Sequence, residues 1–285
     1  MALKVGLVSR LDDPEALDVA RTLARQLRKR GLSITTELEM AKRGQLGGGR
    51  ELSDMRADLI VTVGGDGTVL KTCMTIPQPE TPILAVNMGR RGYLTEVSPE
   101  QARSAINDCL KGKIRLEERM RLTLMHSSGI KIDGLNEALV APALPYKMID
   151  VEIKVGSDDL VDCRADGLIV ATPTGSTAHA FSAGGPVLDP SLDAFVLVFI
   201  CPVDPLHPVV VPANKDLCVR LKDGASRAAV IVDGRHRQDL LPGASITIRK
   251  SKNRAVFVKF DRSRVRRTLV RFPTVETVRS ESTSP

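Results

Sequence analysis

Val61-Thr62-Val63-Gly64-Gly65-Asp66-Gly67-Thr68 is an apolar run that breaks into glycines, with a helix expected to begin near Thr68. At such a turn the backbone amides point outward together, and with the helix dipole behind them they form an anion site. Gly64, Gly65 and Gly67 let a phosphate approach the chain, and Thr68 adds a hydroxyl. A tight turn explains the glycines alone, but not Asp66. A carboxylate in a phosphate cradle repels its ligand unless it binds a cation, takes a proton or holds a hydroxyl. Phosphoryl transfer uses all three, and an aspartate beside the attacking hydroxyl orients it and removes its proton. Lys71, one turn further on, reads equally as a phosphate partner and as a solvated helix lysine. No Walker GxxxxGK[ST] is present, and no GxGxxG opens a βαβ unit, so hydride chemistry has little support.

Three further clusters carry polar chemistry. Asn87-Met88-Gly89-Arg90-Arg91-Gly92-Tyr93-Leu94 ends another apolar strand in a glycine turn. Its arginines suit phosphates and Tyr93 suits a base, while turn chemistry accounts for the glycines equally well. Asn136 and Glu137 interrupt the run Leu135–Val140. An amide reads an adenine edge and a carboxylate accepts from a ribose diol, although in isolation a surface turn explains the pair too. The longest cluster, Arg164 to Pro186, follows a strand with Thr172, Thr174, Ser176, Thr177 and Ser182, hydroxyls suited to sugar and phosphate oxygens. His179 lies within it without any defensible Ser-His-Asp spacing.

The elements that must position these clusters change character near residue 114. Before it, strand and helix alternate: Leu3–Val8, then a helix opened by Asp13-Pro14 with an apolar stripe at Leu17, Ala20, Leu23, Ala24 and Leu27. Strands at Ala57–Val63 and Pro82–Asn87 follow, and then a helix from a Ser98–Gln101 capping box. Alternation of this kind predicts a parallel sheet covered by helices. After it come short β-rich runs, from Leu122–Met125 to Val256–Phe260, separated by turn signals. The expected fold is α+β in two domains. A Rossmann-like α/β domain spans 1–113, an antiparallel β-rich domain spans 114–260, and the segment 261–285 ends in a polar tail. Arg43–Arg50, with three consecutive glycines, reads as a flexible loop.

The 285 residues are 42% hydrophobic and 26% charged, a globular composition of two-domain size. No apolar run reaches the roughly 18 residues that cross a bilayer, so no membrane association is expected. Lys4 and Arg10 interrupt any early apolar stretch, which argues against a leader. Five widely spaced cysteines without a CxxC pair argue against a zinc or disulfide framework and for a reducing cytoplasm. The net charge of +7 concentrates between Arg249 and Arg271, where ten basic residues face one acid. Val265, Leu269 and Phe272 give that stretch a helical stripe, so it reads as a solvated face. With 3% aromatics and no nucleic-acid motif, no nucleic-acid partner is expected.

Taken together, Gly64–Thr68, Asn87–Leu94, Asn136-Glu137, Asp166–Pro186 and Asp233-Gly234 resemble the NAD kinase family in order and spacing, over about residue 3 to 260. The glycine–aspartate loop is shared with lipid kinases and phosphofructokinases; the Asp166–Pro186 run is far more specific. The resemblance implies a nucleotide-binding phosphotransferase that converts NAD to NADP at the 2′-hydroxyl of the adenosine ribose. ATP or polyphosphate would be the donor, with Mg²⁺ or another divalent cation and no confident direct protein ligand to the metal. It implies Asp66 as the catalytic base. It places NAD against Asp66, Gly67, Lys71, Tyr93, Asn136, Glu137, Lys147, Arg164, Asp166, Thr174 and Thr177 to Ser182 (Thr177, Ala178, His179, Ala180, Phe181, Ser182). Donor phosphates would lie on Gly64, Gly65, Gly67 and Thr68. It also implies a homodimer or homotetramer with sites near the subunit interface, and a chain end returning to the first domain. The sequence departs from the family at His179, usually tyrosine, Val203, usually histidine, Arg235, usually glutamine, and Tyr93, usually phenylalanine. The segment Cys201–Pro208 is also shorter than usual. The alternatives are a lipid or sugar kinase with the same loop, and a dinucleotide-binding protein without turnover.

Overall fold

The computed structural model describes residues 3–89 and 92–260. Arg90, Arg91, the polar tail and the stripe Val265, Leu269, Phe272 lie outside them. The first half contains strands β1 (Lys4–Ser9), β2 (Ser33–Glu37), β3 (Gly49–Arg50), β4 (Leu59–Gly64), β5 (Ile83–Asn87) and β6 (Arg115–Arg119). Its helices are α1 (Pro14–Lys29), α2 (Leu38–Gly44), α3 (Asp66–Thr75) and α4 (Pro99–Leu110). The second half contains β7 (Leu122–His126), β8 (Lys131–Gly134), β9 (Glu137–Pro142), β10 (Ile149–Val155), β11 (Asp158–Ala165) and β12 (Gly167–Ala171). The four-residue helix α5 (His179–Ser182) follows, then β13 (Ala194–Ile200), β14 (Val209–Pro212), β15 (Leu217–Leu221), β16 (Ala228–Val232), β17 (His236–Leu240), β18 (Ser245–Lys250) and β19 (Ala255–Lys259).

The first sheet has the order β3-β2-β1-β4-β5-β19-β6. Its strands from β3 to β19 pair in parallel, and β6 closes the edge antiparallel to β19. Alternate side chains explain the cover on both faces. Val5, Leu7, Val61 and Val63 pack with the buried stripe of α1 and with α4. Val8, Ile60 and Ile83 pack with Val69 and Cys73 of α3 on the other side. Helix α1 begins where expected: the Asp13 carboxylate accepts from Glu15 N–H at 3.0 Å and Ala16 N–H at 3.2 Å. Such a cap is worth about 1 kcal/mol. The Ser98–Gln101 capping box also forms.

The second domain consists of two six-stranded antiparallel sheets, β11-β10-β15-β18-β7-β8 and β14-β13-β12-β9-β16-β17. They share one core, in which Leu122, Val151, Val219 and Ile248 of one sheet meet Val140, Val170, Leu197 and Val230 of the other. This is a two-domain α+β arrangement, richer in strand than in helix. Strands β6 and β19 lie in the first sheet, although their residues fall in the 114–260 span expected to form the second domain. Alternating burial marks a strand but not the sheet that accepts it. The segment 43–50 is not wholly irregular, since it contains the end of α2 and the short β3. No described helix is long and apolar enough to cross a membrane.

Candidate active site

The order of the first sheet reverses between β1 and β4, because β1 is followed in space by β2 on one side and β4 on the other. Ligands of such sheets bind outside the carboxyl ends of the strands at this point. Ser9 and Gly64 end the two strands. Helix α3 starts at Asp66 with Gly65 as its N-cap residue, two residues ahead of expectation. A Cβ on Gly65 or Gly67 would meet nothing within 4 Å, so both leave the loop open to a ligand. Gly64 is packed instead, and a Cβ there would lie 2.5 Å from Thr68 Oγ1.

Two cavities flank this loop. The first, of about 250 Å³, is lined by Asp66, Gly67, Leu70, Tyr93, Leu94, Arg119, Asn136, Pro173, Thr174, Thr177, Ala178 and Pro190. It lies between the domains and unites seven expected residues: Asp66, Gly67, Tyr93, Asn136, Thr174, Thr177 and Ala178. The second, of about 390 Å³, is lined by Ser9, Arg10, Leu11, Asp12, Gly65, Gly67, Thr68, Lys71 and Arg235. Gly67 faces both, so the two share a wall at the start of α3.

The Asp66 carboxylate is held by the second motif. Tyr93 N–H donates to Oδ2 at 2.8 Å and Leu94 N–H to Oδ1 at 3.1 Å. The turn comes this close because residue 92 is glycine: a Cβ there would stand 3.0 Å from Asp66 Oδ1 and 2.0 Å from Thr95 Oγ1. Each carboxylate oxygen accepts one N–H here and retains lone-pair capacity.

Asn136 is fixed from both sides. Buried Asp233 accepts from the N–H groups of Leu135, Asn136 and Glu137 at 2.7, 2.8 and 3.1 Å. On the carbonyl side, Thr172 N–H donates to Asn136 O at 2.8 Å and Thr172 Oγ1 to Leu135 O at 2.6 Å. A Cβ on Gly175 would lie 2.1 Å from Asn136 O, so only glycine fits. Burial raises the Asp233 carboxyl above its usual range, opposed by the three amides. Glu137 is pushed up to about 7, first by burial and then by Asp233 beside it. Its Oε2 is buried and has no hydrogen-bond partner among the described residues.

Several other expected contacts stand elsewhere. Lys71 donates to buried Glu37 at 2.6 Å and faces the second cavity. Lys147 and Asp166 line a separate, more open hollow of about 740 Å³ with Tyr146. Arg164, His179, Phe181 and Ser182 are exposed and line none of these three cavities. Ala180 is fully buried in a small apolar cluster with Ile169 and Val198, so its methyl packs in the core. Three hydroxyls of the Thr172–Ser182 run serve the backbone: beside Thr172, Ser176 Oγ donates to Pro173 O at 2.7 Å and Thr177 Oγ1 to Thr174 O at 3.0 Å.

The sequence reading missed Arg119, which enters the first cavity from β6 with its guanidinium Nε 2.7 Å from Glu117 Oε1. Nothing in the run Glu117-Glu118-Arg119 marks it. It also missed Leu70, one turn after Gly67, whose position on the face of α3 that carries Asp66 could have revealed it. Among the described residues, no three His, Cys, Asp or Glu side chains are grouped to hold a metal.

Comparison with known proteins gives this geometry its context. The ATP-NAD kinase N-terminal domain matches residues 5–114 and the ATP-NAD kinase C-terminal domain matches residues 135–260. NAD kinase of Methanothermobacter thermautotrophicus is 38% identical over 263 residues, 91% of this chain and 93% of that protein. NAD kinase of Thermococcus kodakarensis is 35% identical over 267 residues, 91% of this chain and 95% of its own length. The solved Archaeoglobus fulgidus NAD kinase in complex with ATP superposes with a TM-score of 0.74 at 30% identity, covering 95% of this chain and 97% of that one. Yeast NADH kinase complexed with NADH shares the fold, with a TM-score of 0.88 at 21% identity over 95% and 87% of the two chains. Two domain matches covering most of the sequence, with relatives this similar over nearly their full length, assign the chain to the NAD kinase family.

Proposed function

We propose that this protein transfers a phosphoryl group from ATP, or another phosphate-chain donor, to the 2′-hydroxyl of the adenosine ribose of NAD, giving NADP. The observation that carries this reading is the position of Asp66. Its carboxylate faces the first cavity at the start of a helix whose loop opens on the second. The acceptor nucleoside occupies the first cavity, where Asn136, Thr177, Ala178 and Tyr93 surround it. The donor phosphates lie in the second, over the amides of Gly65, Asp66 and Gly67, the Thr68 hydroxyl and the positive end of α3. The parallel strand order around the loop supports the Rossmann-like description of this half.

The reaction follows from these roles. Tyr93 and Leu94 N–H hold the Asp66 carboxylate in one orientation. Asp66 takes the 2′-hydroxyl proton as the ribose oxygen bonds to the terminal phosphorus, and the bond from that phosphorus to the donor's bridging oxygen breaks. The loop amides bear charge on the transferring group. A divalent cation supplies further charge neutralisation on the phosphates. Among the described residues, Asp12 and Asp66 are the carboxylates lining the two cavities, and Arg10 engages both oxygens of Asp12, so Asp66 and the donor oxygens would hold the ion rather than a protein cage.

A cavity of about 250 Å³ has the size of a nucleoside rather than a dinucleotide. The remainder of NAD therefore meets exposed groups, to which Lys147, Arg164, Asp166, His179, Phe181 and Ser182 are assigned. A homo-oligomer in which a second copy approaches this face completes the site, in a cytoplasmic enzyme.

The test is direct. The protein is mixed with NAD, ATP and magnesium, and NADP is detected with a dehydrogenase that accepts only NADP. Asp66→Asn should lower turnover by roughly 10²–10⁴ with little change in NAD binding. Unchanged turnover in that variant would remove Asp66 from the role of base. No NADP from ATP, polyphosphate or any other donor would remove the activity.

A further inference from the structure

The second cavity has one wall from outside the first domain. Ser9, Arg10, Leu11, Asp12, Gly65, Gly67, Thr68 and Lys71 all belong to the first; Arg235 belongs to the turn between β16 and β17. This turn is sharply constrained. Asp233 and Gly234 have φ of 52° and 66°, and Arg235 N–H donates to Val232 O at 3.0 Å. Asp233 is itself anchored to three consecutive amides of the Asn136 segment. The hairpin tip therefore delivers Arg235 to the phosphate loop from a rigid base.

The ion pairs distinguish Arg235 from its neighbours. Arg10 is fastened to Asp12, with Nη2 2.9 Å from Oδ2 and Nε 3.0 Å from Oδ1. Lys71 is fastened to Glu37 at 2.6 Å. These pairs neutralise one another. Arg235 is exposed and has no ion pair among the described residues, so its five N–H donors remain for an incoming anion. The described residues lining this cavity include no aromatic ring to stack a base and no side-chain amide to read one. Such a lining suits a phosphate chain.

We infer that Arg235 is the donor-phosphate clamp contributed by the second domain. Its guanidinium, on the wall that the second domain adds to the cavity, grips the phosphate chain that the amides of residues 65–67 hold, a planar fork matched to phosphate oxygens. Donor binding then bridges the two domains across the cavity. This rests on the proposed phosphotransferase reading, yet the binding step is measurable without turnover.

The probe is inorganic tripolyphosphate, titrated calorimetrically into the intact protein, beside steady-state kinetics with ATP. Arg235→Gln should bind tripolyphosphate about tenfold more weakly or worse, and raise KM for ATP by a similar factor. NAD affinity should stay at the wild-type value. Arg235→Lys, which keeps the charge and loses the fork, should fall between. Arg237→Gln, exposed on the same hairpin and outside the cavity, should match wild type. Wild-type tripolyphosphate affinity in Arg235→Gln, or no tripolyphosphate binding by the wild type, would overturn the clamp. If NADP forms but KM for ATP is unchanged in Arg235→Gln, the clamp fails and the activity stands. If tripolyphosphate binding depends on Arg235 but no donor yields NADP, the clamp stands and the activity fails.

Discussion

The glycine–aspartate loop and the Leu135–Glu137 segment, which meet at the first cavity, use their backbones in opposite ways. In the glycine–aspartate loop, Gly65 and Gly67 sit in open space and the helix start presents the amides of residues 65–67 outward, while Thr68 N–H already donates to Gly65 O at 3.0 Å. In the Leu135–Glu137 segment, every amide is already committed to Asp233, and the carbonyls of Leu135 and Asn136 to Thr172. The first wall keeps donors for a guest. The second uses its hydrogen bonds on itself and presents a fixed shape. A wall that meets varying phosphate geometry gains from uncommitted amides, whereas one that must tell one nucleoside from another gains from rigidity.

Glycine substitutions should separate the walls most sharply. Gly175→Ala forces a methyl to 2.1 Å from a backbone oxygen that is itself hydrogen-bonded. It should destabilise the fold by about 3 kcal/mol or more, read as a lower urea midpoint. A small loss there would mean that the second wall yields. Asp233→Asn comes next. It replaces an acceptor-only carboxylate with a group that must turn an NH₂ toward one of three N–H donors. A cost of about 2–3 kcal/mol is expected, with weaker NAD binding and, because the same turn carries Arg235, weaker tripolyphosphate binding as well. Wild-type affinity for both ligands would mean that the Asp233 anchor fixes neither wall.

Glu137 gives a pH-dependent version of the contrast. Its folded pKa is raised to about 7 by burial and by Asp233, above its ordinary value of 4.5. The folded state thus holds a proton that the unfolded chain releases. Its contribution favours folding below about pH 4.5 and declines through the window up to about 7. Glu137→Gln, which mimics the protonated form, should remove that decline, so stability curves for variant and wild type should diverge toward pH 8. Parallel curves would show that Glu137 is ionised in the folded protein. Gly67→Ala should have the smallest effect on folding. It adds a methyl into open space in the first turn of α3, stabilising by about 0.5 kcal/mol. Its cost should appear instead as weaker ATP binding.

What was legible in the sequence follows the same division. The glycine–aspartate loop is readable because phosphate binding by amides requires glycine in a local run, and α1 because its cap and stripe are local. The partners of those residues are not local. Asp66 meets Tyr93 and Leu94, 27 and 28 positions away, and Lys71 meets Glu37, 34 positions away. Nothing in the hydroxyl-rich run tells which oxygens serve the backbone, so Ser176 read as a ligand group and proves buried in the loop. Arg119 stayed hidden because its role depends on β6 joining the first sheet.

That placement of β6 has a consequence for how the molecule moves and how it was assembled. Arg119 and Ala255 are directly paired across neighbouring strands. The chain therefore leaves the first sheet and re-enters it at adjacent points, and the β-sandwich is an insertion hung on two side-by-side tethers. A module on one tether can swivel; on two it swings about the line that joins them. A swing of the sandwich against the sheet would have that line as its axis. The tethers are not its sole attachment, since Leu135 of the inserted segment is buried in the core that β4, β5 and α3 share.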